Sequence, residues 1–159
     1  MKFLSYEDII YINHECQLIS QDVVLVTYGI RDESLLNSIP ISIKQTYDGI
    51  YLYPDIHSKA SHLWYTLSQY HCFYDGNKRT GLACMLIYLL QNGIKLPIVD
   101  DLYDMCMELS KSKVSKIELI EYLKKNSINI NIDFKTVVEC FKYYKNEQGF
   151  KDIIIKLSQ

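Results

Sequence analysis

The sequence predicts a mainly α protein: a helical bundle around one buried central helix, with one or two short β pieces. Three observations predict it. Leu82-Ala83-Cys84-Met85-Leu86-Ile87-Tyr88-Leu89-Leu90 is apolar on every side, and such a helix belongs in the middle of a bundle. Other segments around it repeat apolar residues at helical spacing behind their own start signals. Strict alternation is brief, at Ile128-Asn129-Ile130-Asn131-Ile132-Asp133-Phe134.

The elements follow in order. Ser5 is a good N-cap with Asp8 three residues on, a variant of the capping box, and Leu4 and Ile9 occupy the staple positions. That helix should reach about Leu18. Gly29-Ile30-Arg31-Asp32 reads as a loop ending in a second cap. Leu35, Leu36 and Ile39 give a helical face that Pro40 should interrupt. Tyr47-Asp48-Gly49-Ile50 carries the Asp-Gly turn signal and reads as a small exposed hairpin, the alternative being a plain connection between helices. Asp55 caps the next helix, whose Ile56, Ala60, Leu63, Trp64 and Leu67 share one face.

The central helix should start at Lys78 with Asn77 as N-cap, and Asn92-Gly93 should end it. Fifteen residues would span about 22 Å. A helix near Asp100–Ser110 follows. Ser115-Lys116-Ile117-Glu118 is a capping box opening another that ends near Asn126. After the alternating stretch, Phe134, Val137, Val138, Phe141 and Tyr144 predict one more helix.

Bulk composition narrows the function. The chain has 159 residues, enough for one core, and carries a net charge of −2, which disfavours non-specific grip on nucleic acid. No apolar run reaches membrane-spanning length. Five cysteines without CxxC spacing read as free thiols, and the N-terminus turns acidic too soon for a signal peptide, so a cytoplasmic protein is expected.

The informative stretch is His71-Cys72-Phe73-Tyr74-Asp75-Gly76-Asn77-Lys78-Arg79-Thr80-Gly81. Lys78 and Arg79 fall where a helix begins. Cations there oppose the helix dipole, at roughly 0.3–1 kcal/mol each, unless an anion sits at the same spot. Gly76 lets successive N–H groups converge into an oxyanion nest. Lys78 and Arg79 neutralise phosphate. Asp75 beside a polyphosphate calls for Mg²⁺ between them. His71 carries an imidazole that can take a proton from an attacking hydroxyl. Phe73 is apolar inside a polar turn and should anchor it. A plain hydrogen-bonded helix cap would account for His71, Asp75 and Arg79 singly, but leaves both cations unexplained. His14, His57 and His62 are better read as scaffold. A P-loop fails because Leu82 stands where lysine is required, and zinc lacks enough ligands.

At these residues the chain resembles the Doc branch of the Fic/Doc family, whose pattern His-x-Phe-x-Asp/Asn-Gly/Ala-Asn-Lys-Arg is matched throughout by His71, Phe73, Asp75, Gly76, Asn77, Lys78 and Arg79. The similarity covers roughly residues 4–126. It implies the Fic fold over residues 1–126, with residues 127–159 as an extension (a short strand plus a helix) packed on the same domain. It implies His71 as general base, Asp75 as the Mg²⁺ ligand, and Gly76, Asn77, Lys78 and Arg79 as the phosphate site for ATP. The hairpin near Thr46–Tyr53 corresponds to the family's flap, which aligns a target by strand addition. The adenylylating branch has glycine at the place of Lys78 and arginine at that of Leu82. Both departures point to the Doc branch, and resemblance to that branch implies phosphoryl transfer onto a hydroxyl of a translation elongation factor and restraint by a small antitoxin. Adenylyl transfer on the same site, or a non-catalytic module holding an anion or partner, are the alternatives. No glutamate here has serine or threonine four residues before it, so the family's self-inhibitory motif is absent.

Overall fold

The computed structural model describes residues 1–159. Its helices are α1 (Tyr6–Ser20), α2 (Glu33–Ser42), α3 (Ile56–Gln69), α4 (Asn77–Gln91), α5 (Leu102–Ser110), α6 (Lys116–Asn126), α7 (Val137–Lys145) and α8 (Phe150–Leu157). Two small antiparallel sheets complete it: β1 (Thr46–Tyr47) with β2 (Ile50–Tyr51), and β3 (Ile94–Lys95) with β4 (Ile128–Asn129). The mainly α bundle is thus present, and no helix is long and apolar enough to cross a membrane.

Local start signals act as the chemistry requires. Ser5 Oγ accepts from Asp8 N at 3.1 Å while Asp8 Oδ2 accepts from Ser5 N at 2.8 Å. Asp55 and Ser58 form the same reciprocal pair at α3, as do Ser115 and Glu118 at α6. Each satisfies two otherwise orphaned donors. Asp48 (φ 52°) and Gly49 (φ 76°) make the two-residue turn of the first sheet, where both central residues need positive φ.

Three expectations are corrected. Pro40 does not end α2, which continues to Ser42. The proline removes one i→i−4 bond, and the exit tightens instead into Lys44 N to Ile41 O (3.0 Å) and Gln45 N to Ser42 O (3.2 Å). The alternating stretch forms only a two-residue strand, because β3 offers it only two residues to pair with. The C-terminal segment holds two helices, not one. Gly149 (φ 91°) breaks the chain after α7, and Phe150, Ile153, Ile154 and Leu157 then bury a second face at i, i+3, i+4, i+7.

α4 is the axis of the bundle. Every residue from Arg79 to Leu90 is buried. α3 packs on it most extensively, and α1, α5, α7, α8 and β3 cover other sides. Gly81 permits the α3–α4 approach. A Cβ there would stand 2.4 Å from Ser68 Oγ and 3.1 Å from Trp64 O, both on α3. Gly81→Ala should therefore destabilise the fold by about 1–3 kcal/mol through overpacking, read from urea denaturation. A variant as stable as wild type would show that the helices do not pack this closely.

His62 lies in this scaffold. Its ring stacks on Tyr53 at 4.1 Å. Lys116 Nζ lies 3.2 Å from its Nδ1, so that nitrogen accepts and Nε2–H donates to Ser42 Oγ at 2.7 Å. Burial, with the Lys116 cation adding to it, pushes the imidazole down to about 4. The folded state thus holds the ring neutral, while the unfolded chain protonates it near 6.5. Its contribution is complete above that value and is lost as pH falls toward about 4. The stability gap between wild type and His62→Gln should shrink over that window in denaturation curves; a gap independent of pH would exclude the neutral, buried ring.

Candidate active site

The turn from His71 to Gly76 joins α3 to α4 and is bolted down from three sides. The preceding loop holds it first: Arg31 N and Asp32 N both donate to Cys72 O (2.7 and 3.0 Å), and Tyr74 N donates to Gly29 O at 3.2 Å. Ile30 and Phe73 form an isolated antiparallel bridge. Asn77 holds it second, its Oδ1 accepting from Phe73 N at 3.1 Å and its Nδ2 donating to Phe73 O at 2.9 Å. α1 holds it from beneath. Asn13 Nδ2 donates to Asp75 O (3.1 Å) and Thr80 Oγ1 (2.9 Å), and Gln17 Nε2 donates to Asn13 Oδ1 at 2.8 Å. The Phe73 ring is buried in the core.

Asn77 is therefore not the N-cap of α4. Gly76 takes that place at φ 79°, and no side chain caps the helix. The Asn77 side chain is spent on Phe73, which leaves its backbone N–H for a ligand. The N–H groups of Asn77, Lys78 and Arg79 have no partner within the chain. A Cβ on Gly76 would meet Arg79 Nη2 and Asn13 Nδ2 at 3.2 Å, so the bare backbone is needed as well as the left-handed φ.

These donors open into a cleft of about 380 Å³. His71, Asp75, Gly76, Asn77, Lys78 and Arg79 all line it, and the buried Phe73 does not. His14, His57 and His62 take no part in the lining. His71 has φ 52°, a conformation uncommon for a side-chain-bearing residue, and Arg31 Nε holds its carbonyl at 3.0 Å. Its exposed imidazole bonds no group of the protein. Cys72 beside it is no nucleophile, since burial pushes its thiol up to about 11.

Arg79 is 3% exposed. Its Nη2 donates to Asp75 Oδ1 at 3.1 Å, while its buried Nη1 has no partner. A buried guanidinium nitrogen without an acceptor is costly. Asp75 Oδ1 also accepts from Gly76 N at 2.8 Å, which leaves Oδ2 for a ligand. No cluster of three metal-ligating side chains exists. One carboxylate oxygen suits a magnesium ion that takes its other ligands from phosphate and water.

A sequence model of the Fic/DOC family matches residues 3–89, more than half of the chain. The chain belongs to the Fic/DOC family. It is also similar to Toxin Doc of Mycolicibacterium smegmatis (strain ATCC 700084 / mc(2)155), at 36% identity over 67 residues. That alignment covers 42% of this chain and 52% of the relative, so the chain spans about half the length of the curated relative it matches. The family match ends before β3. Sequence reading found the motif but not the roles of Asn13, Gln17 and Arg31, which bear on it from distant positions. Nor did it foresee that Leu157, Ser158 and Gln159 would line the same cleft.

Asn77→Ala should release the Phe73 backbone, costing about 1–3 kcal/mol for the unpaired buried groups. Hydrogen exchange at the Phe73 amide should accelerate more than exchange in α6; equal protection in both proteins would mean the side chain does not hold the turn.

Proposed function

We propose that this chain is a toxin-like transferase that moves a phosphoryl group from ATP to a protein hydroxyl. One observation carries the reading: three free N–H groups, the Lys78 and Arg79 side chains and the free His71 imidazole share one cleft. Kinship with Toxin Doc and the lysine at position 78 favour phosphoryl over adenylyl transfer, and a translation factor as target. A small antitoxin is the partner this kinship proposes.

The polyphosphate would bind at the start of α4. The N–H groups of Asn77, Lys78 and Arg79, with both basic side chains, hold its oxygens and take up charge as it develops. His71 accepts the proton of the target hydroxyl. The hydroxyl oxygen forms its bond to the γ-phosphorus while the bond to the β–γ bridging oxygen breaks, and ADP leaves. Asp75 Oδ2 would hold Mg²⁺, which neutralises phosphate charge when bound. The turn's clamps fix the His71 backbone, so only its side chain need turn before the proton transfer.

The hairpin β1–β2 exposes Tyr47, Ile50 and Tyr51, a free edge to which a target strand could add. It sits by the first turn of α3, where Lys59 lies over the Tyr51 ring at 4.8 Å, while the cleft is at that helix's far end. α3 has 14 residues, about 21 Å. An extended segment of about six residues would bridge that span.

The test is transfer of label from γ- and α-labelled ATP to proteins of a cell extract. γ-label should appear on one band. It should fall by about 10²–10⁴-fold with His71→Ala and with His71→Asn, which tolerates the left-handed backbone. α-label on the band would mean adenylyl transfer. Growth arrest that survives both substitutions, with no label from either, would mean a binding module.

A further inference from the structure

The cleft has two unlike walls. One is the N-terminus of α4 with Lys78 and Arg79. The other is built from three helix C-termini: Ser68 in the last turn of α3, Ser110 as the last residue of α5, and Leu157 and Ser158 at the end of α8. Helix C-termini are the negative ends of their dipoles. Neither α3 nor α5 has a basic residue in its last turn, whereas α8 carries Lys156 there and Lys111 follows Ser110 as the C-cap of α5. The hydroxyls follow the same polarity. Ser110 Oγ donates to Met107 O at 2.8 Å. The Ser158 hydroxyl reaches Ile154 O (2.9 Å) and Ser20 Oγ (2.7 Å), so its proton is also engaged. Both oxygens are left with lone pairs.

Serine hydroxyl oxygens with free lone pairs at helix C-termini suit a donor-bearing, uncharged group better than a phosphate. A nucleotide is such a two-ended ligand, with ribose hydroxyls and an exocyclic amine opposite its phosphates. The positive end is equally distinct, since the buried Arg79 Nη1 still lacks an acceptor. α8 is also a firm wall. Phe150, Ile153, Ile154 and Leu157 are buried, and the helix packs on α1, α4 and α7.

We propose that α8, which lies outside the family-matched region, forms part of the nucleotide site: its last turn and the end of α5 seat the nucleoside, while α4 takes the phosphates. This rests on the nucleotide-transfer reading above. It assigns Ser110 and Ser158 to positions that contact the nucleoside, and makes the extension a determinant of which nucleotide fits.

The buried cysteines allow a direct test. All five are buried, and burial pushes the thiols of Cys16, Cys106 and Cys140 up to about 12, so none competes for an alkylating reagent. Ser110→Cys and Ser158→Cys each place one reactive thiol on the wall through a one-atom change, on different helices. Alkylation rates are compared with no ligand, with MgATP and with inorganic tripolyphosphate, and binding of each ligand is followed by calorimetry. MgATP should slow alkylation at both positions by about tenfold at saturation, and tripolyphosphate by no more than about twofold. Bound MgATP that protects neither thiol would overturn the proposal and leave the transfer reading standing. Equal protection by tripolyphosphate would overturn it too, placing phosphates against this wall. If the protein bound neither MgATP nor tripolyphosphate, the transfer reading would fall along with it.

Discussion

The uncapped start of the buried helix α4 is the constraint on which the rest of the molecule depends. A helix interior satisfies its own backbone, but its first turn cannot. Most helices in this chain close that gap with a side chain: Ser5, Asp32, Asp55, Ser115 and Thr136 all accept from the first turn. α4 does not, although it is the most buried helix and carries two cations there. Its packing fixes the open donors in space. Gly81 lets α3 come close enough to hold the helix, and Arg79 is drawn in with a nitrogen left unpaired. Local stability is sacrificed at this end of the helix.

Fixing the helix would be useless if the turn before it were loose. Three separate parts of the chain therefore converge on six residues. The loop 29–32 pairs with Cys72–Tyr74 almost as a strand, Asn77 reaches back to Phe73, and Asn13 supports Asp75 from α1. The uncommon backbone of His71 survives because its neighbours on both sides are held. The imidazole itself is left unbonded.

The extension beyond the family-matched region is tied to the same centre. β4 pairs with β3 just after α4, α7 packs on α4, and α8 returns to the cleft. The C-terminal ends of three helices then line the same cleft as the N-terminus of α4. This gives the cleft a direction, which no single element possesses.

Much of this was legible in the sequence, for an identifiable reason. Capping boxes, the Asp48-Gly49 turn, the all-apolar run and the motif from His71 to Arg79 depend on groups within about four residues of each other, where chain geometry alone decides who can bond. Pro40 misled because a helix near its end can replace a lost bond with tighter ones. Asn77 misled because its side chain had a better partner behind it than ahead. What only the tertiary structure decided are the meetings of distant residues: Asn13 with Asp75, Arg31 with His71, and β3 with β4. The arrival of α8 at the cleft is the longest of these. Such contacts follow from how helices pack around α4. That packing is set by the shape of the whole core, so no local stretch of sequence records it.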